Sequence, residues 1–166
     1  MLVIRCMMKF STLWASVVLI LFSGCTSKNY APAESKLVIL KTKKLKFNDL
    51  AYIRYDGDAI QMDLYTVGTA VERLEIDSLI CVSEGCMRKS SFNDAYLSAY
   101  YPDTILQNIL LSRVILNGEG MRDVCSGFVQ KIKSEHYDIT YKVSKNETSF
   151  KDRKNKILIK IKRVKQ

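Results

Sequence analysis

The chain has 166 residues, one histidine, five cysteines and a formal net charge of +9 at pH 7. The excess is concentrated: residues 151–166 hold eight Lys or Arg and one Asp, residues 1–24 hold two, and residues 25–150 balance at 16 basic and 16 acidic. A neutral body with one basic end lacks the broad basic field of a nucleic-acid binder. One histidine without a second cysteine pair leaves too few ligands for a zinc site, so no metal is expected.

Residues 1–24 carry only Arg5 and Lys9 as charges. Phe10 to Phe22 is an uncharged, mostly apolar run of 13 residues. A membrane-crossing helix needs about 20, whereas a secretory leader needs no more than this. A start at Met7 or Met8 would make the leader more compact. Leu21-Phe22-Ser23-Gly24-Cys25 closes it. Ser23, Gly24 and Cys25 resemble the bacterial lipoprotein signal, the lipobox, with Phe22 in place of its usual Leu. The resemblance implies cleavage before Cys25, with a diacylglycerol on the thiol and an acyl group on the new amine. Together such chains hold a protein stably on a bilayer. The alternative is an uncleaved anchor with an incidental cysteine.

The expected layout is therefore a leader over 1–24, a lipidated Cys25 with a flexible tether over 25–35, and one β-rich domain over 36–166. The tether is polar and contains Pro32. An exported body meets an oxidising compartment. Cys81 and Cys86 flank a Gly-containing turn, so a Cys81–Cys86 bridge is expected, with Cys125 pairing to one of them, or three free thiols, as the alternatives.

Period-two patterning fills the first half. Strands are expected over 36–40, 45–55, 59–66, 71–76 and 79–82, separated by Asp56-Gly57-Asp58, Gly68 and the cysteine turn. The period then changes. Ser91-Phe92-Asn93-Asp94 reads as a capping box, followed by apolar residues at helical spacing. Pro102 is placed to open a second helix over 103–113, whose stripe holds Ile105, Leu106, Ile109 and Leu110. Strands return over 127–135, 137–144 and 157–164. In the last, Ile157, Ile159 and Ile161 share one face and Lys160 and Lys162 the other. That basic face is expected to be solvated. Attraction to anionic headgroups is its sharper reading.

No catalytic constellation is present. His136 stands without a motif, and neither a nucleophile elbow nor a phosphate-binding glycine loop occurs. Fold class is expected to be α+β, mainly antiparallel, with the helical pair covering a sheet.

That order, with Tyr101-Pro102-Asp103-Thr104-Ile105-Leu106-Gln107-Asn108-Ile109-Leu110-Leu111 and the closing strand Ile157 to Ile161, is similar to the LolB and LolA family of periplasmic lipoprotein carriers. The only Trp, Trp14, lies in the leader, unlike the tryptophan-rich LolB. The resemblance implies an open half-barrel or strongly curved sheet with a helical lid, and beneath the lid an apolar cavity lined by Ile105, Leu106, Ile109, Leu110, Ile157, Ile159 and Ile161. It implies an acceptor of lipoprotein acyl chains, and the chain is expected to be a non-enzymatic monomer at the periplasmic face of the outer membrane, without cofactor or nucleic acid. The alternative is a structural or assembly lipoprotein that binds an outer-membrane protein.

Overall fold

The computed structural model describes Lys28 and residues 30–164. The leader and Cys25 lie outside the described residues.

Eleven strands form one antiparallel sheet: β1 (Glu34–Lys41), β2 (Lys46–Asp56), β3 (Ala59–Thr66), β4 (Thr69–Ile76), β5 (Ile80–Val82), β6 (Gly85–Met87), β7 (Met121–Val124), β8 (Gly127–Lys133), β9 (Asp138–Ser144), β10 (Glu147–Asp152) and β11 (Ile157–Arg163). Their spatial order is β6-β5-β4-β3-β2-β1-β11-β10-β9-β8-β7. The sheet does not close into a barrel, and the α+β, mainly antiparallel class holds. Two short helices, α1 (Lys89–Tyr96) and α2 (Ile105–Leu110), and a 3-10 turn at Leu116–Gly118 connect one edge, β6, to the other, β7.

The alternation sets which face needs covering. Val38 and Leu40, Ala51 and Ile53, Ile60 and Met62, and Ile157, Ile159 and Ile161 are all buried on one side. Apolar area on one sheet face must be removed from water by another element. The connection from β6 to β7 does this by packing Phe92, Tyr96, Ile105, Leu106, Ile109 and Ile115 into the same core.

Several boundaries differ from the sequence reading. β1 begins at Glu34, inside the stretch read as tether, and the Ala31 amide already donates to the Tyr55 carbonyl at 2.8 Å. The capping box does not form. α1 starts at Lys89 behind Arg88, which makes no side-chain cap bond. Asn93 is buried instead, and its Nδ2 donates to the carbonyls of Tyr101 and Pro102 at 3.3 and 2.9 Å. α2 is shorter than read. Ser112 adopts φ 56° just past its end, the left-handed conformation that stops a helix.

β6, β7 and β10 escape periodicity. β7 is exposed throughout, so it has no apolar face to read. In β10 the inward positions are Thr148, Phe150 and Asp152. Two of those three are polar, and the alternation is hidden.

Candidate functional site

The lid candidates are placed together. Ile105, Leu106, Ile109 and Leu110 lie in one buried cluster with Ile157, Ile159 and Ile161. They do not enclose a chamber. The hollow between α1, α2 and the sheet, bounded by Leu40, Met62, Phe92, Leu106 and Ile159, measures about 20 Å³. That is close to the room one water needs, and sites for drug-sized ligands run to about 300–1,000 Å³. That hollow is filled by its own lining, and at the other end of the lid Leu110 and Ile161 border an open cleft of about 210 Å³ shared with Lys36, Ser112, Glu147 and Thr148.

Polar bonds pin the helical connection down. Tyr101 Oη donates to Asp152 Oδ2 at 2.5 Å, with both side chains buried. Asp152 also accepts from the amides of Asp138, Lys154 and Asn155 through Oδ1, and from Asn155 Nδ2 through Oδ2. Burial works to raise the Asp152 carboxyl, but these donors outweigh it and hold it below the usual carboxylate range. The Tyr101 hydroxyl is pushed up by burial and by the carboxylate it serves. Gln130 is fully buried and exchanges two 2.9 Å bonds with the backbone of Ile115. Gln107 Nε2 donates to the Asp58 carbonyl at 2.6 Å, and Lys89 Nζ donates to Gln107 Oε1 at 2.8 Å.

The outer face is different. Asp63, nearly buried, sits between Arg73 Nε at 2.6 Å and Arg54 Nη1 at 2.7 Å. Burial works to raise this carboxyl, but the two guanidinium groups prevail and lower it. Beside this triad Leu50, Tyr52, Tyr65 and Val67 line an open groove of about 440 Å³. Tyr52 and Tyr65 meet edge to face at 5.3 Å. Val67, at the tip of the β3–β4 hairpin, is 93% exposed with φ 50°. A β-branched residue in that backbone region is an outlier. A second groove of about 730 Å³ opens where the chain enters β1, lined by Ala33, Lys36, Tyr52, Arg163 and Val164.

Cys81 and Cys86 are joined by a disulfide across the β5–β6 hairpin, with Cα atoms 3.9 Å apart. Cys125 is free and exposed. His136 lies in a turn and stacks on Tyr100 with ring centroids 3.7 Å apart. Among the described residues no group of three or more His, Cys, Asp or Glu is arranged to hold a metal. No described helix is long and apolar enough to cross a membrane. The outer patch was not read from the sequence. Its signal was Tyr52 and Tyr65, two aromatic residues on the polar side of two alternating strands.

No family model, no curated protein and no solved structure matches the chain.

Proposed function

We propose that the chain is a non-enzymatic lipoprotein, acylated on Cys25 and held at the periplasmic face of the outer membrane. Its folded body acts through its surface, as a structural or assembly partner of an outer-membrane protein. The observation that supports this reading over a lipid carrier is the filled interior. A hollow of about 20 Å³ takes no acyl chain, while Leu50, Tyr52, Tyr65 and Val67 leave an apolar patch on the opposite face. Apolar patches rimmed by charge are a common feature of partner-binding surfaces.

A LolB-like acceptor of acyl chains is the second reading. The architecture favours it: a helical connection lies across the apolar face of an open sheet. It requires α1 and α2 to lift away and break the Tyr101–Asp152 and Gln130–Ile115 bonds. Depletion in cells separates the two. The surface reading predicts that other lipoproteins still reach the outer membrane, and their retention in the inner membrane would overturn it.

A further inference from the structure

Two lysine-rich stretches far apart in sequence meet at one end of the sheet. β1 and β11 pair with Lys41 opposite Leu158. On one side Lys46 of β2 lies opposite Lys41. On the other, Lys151 lies opposite Leu158, Thr140 opposite Lys151, and Lys131 opposite Thr140. One register row therefore runs Lys131–Thr140–Lys151–Leu158–Lys41–Lys46. Its sequence neighbours Ile132, Ile139, Ile157, Leu40 and Phe47 are buried on the core side, so the row lies on the outer face, where its four lysines are exposed. Six strands at the usual spacing of about 4.8 Å give the row a length of about 24 Å.

The adjoining turns add to the charge. Residues 42–45 join β1 to β2 and residues 153–156 join β10 to β11, at the same end of neighbouring strands. They contribute Lys43, Lys44, Arg153, Lys154 and Lys156, all exposed; Lys43 donates to the Asp94 carbonyl and Lys44 lies over the Tyr96 ring, so these two lean toward the helical side.

The neutralisation is uneven. One and two rows farther along, Lys160 and Lys162 share Glu147 at 3.0 and 3.5 Å. Lys41, Lys46, Lys131, Lys151 and Lys156 make no ion pair among the described residues. Lys41 and Lys46 are direct cross-strand neighbours, and like charges so placed oppose pairing. Nothing inside the fold gains from the arrangement. An extended basic row suits an extended anionic surface better than a small ligand.

We infer that this end of the sheet docks on an anionic phospholipid bilayer, the lysine ammonium groups meeting headgroup phosphates. The inference rests on the lipid-anchor reading, since a chain held by Cys25 keeps the bilayer at high local concentration. Docking then turns the outer face toward the membrane, where a membrane-embedded partner would be met. Leu50, Tyr52, Tyr65 and Val67 share that outer face, on β2, β3 and the β3–β4 hairpin, next to the row.

The test is lysine acetylation footprinting of the full chain reconstituted in vesicles. Phosphatidylcholine vesicles are compared with vesicles containing phosphatidylglycerol. Acetylation at Lys41, Lys46, Lys151 and Lys156 should slow by at least about threefold when the anionic lipid is present. The protection should vanish near roughly 0.5 M salt, where screening is short-ranged. Lys145, in the turn at the other end of the sheet, should label equally in both. The variant carrying Lys41→Gln, Lys46→Gln, Lys151→Gln and Lys156→Gln should lose the lipid-dependent protection of Lys131, which lies in the same row. Equal labelling of the row in both vesicle types would overturn the docking. Intact mass reports the acyl group separately. A non-acylated chain with a protected row would sink the anchor alone, and an acylated chain with an unprotected row would sink the docking alone.

Discussion

Tyr101 donates to Asp152 across the boundary between the helical connection and the sheet, at 2.5 Å and away from solvent. Tyr101 lies between α1 and α2, and Asp152 ends β10. The bond therefore ties the chain that covers the core to the strand it covers. Asp152 also organises the turn into β11 through the amides of Lys154 and Asn155.

Tyr101→Phe removes the donor and leaves a buried carboxylate with one partner fewer. The expected loss is about 1–3 kcal/mol, read as a lower urea midpoint with an unchanged slope. Asp152→Ala should cost more, because it also frees the turn amides. A Tyr101→Phe variant as stable as the parent would show that the bond does not hold the helices.

Asp63 and Asp152 are both lowered in the folded protein. The unfolded chain therefore binds protons that the folded chain does not as pH falls through the ordinary Asp value of about 3.9. Stability from these groups is fully present above that value and is lost toward the lower folded values. Thermal midpoints should be flat from about pH 5 upward in this respect and should fall in acid. Asp63→Asn should flatten the acid limb. An unchanged acid limb in that variant would remove Asp63 from the account.

The Cys81–Cys86 bridge closes a short loop, so its effect on the unfolded chain is small. Loop-closure entropy for so few residues gives about 2 kcal/mol. The paired Cys81→Ser, Cys86→Ser variant should fold, with a melting midpoint lowered by several degrees and β5–β6 amides exchanging faster than β1–β2 amides. Loss of folding would mean the hairpin contributes far more than this model allows.

The anchor has a direct check. Cys25→Ala should abolish metabolic labelling with a radioactive fatty acid and release the body from the membrane fraction, or leave an uncleaved precursor. Continued labelling of that variant would refute acylation at Cys25.

The central strands were legible because their two faces differ in chemistry. Ala59 to Thr66 alternates cleanly, and β3 occupies those residues. The helical stripe of Ile105, Leu106, Ile109 and Leu110 was legible for the same reason, and all four are buried. β10 was not, because its core positions include Thr148 and Asp152, whose burial depends on partners from Ser112 and Tyr101. Residues so distant in sequence leave no periodic trace. The basic row was hidden in the same way. Residues 41–46 and 151–156 read as separate charge runs until β1 and β11 pair and bring them together. The packed interior was also beyond the sequence, since one set of Ile and Leu side chains can line a chamber or fill it.

Hydrogen exchange of the membrane-anchored protein tests the closed interior most directly. In α1, α2 and the residues that cap them, the amides of Phe92, Leu97, Asn108 and Leu111 are hydrogen-bonded within the helical connection. A surface-acting protein with a filled core predicts slow exchange at all four, close to that of β1–β2 amides and unchanged when an acylated lipoprotein is added. Fast exchange at these amides over a protected sheet, or a change in them on adding the lipoprotein, would contradict it and point to a lid that opens for lipid.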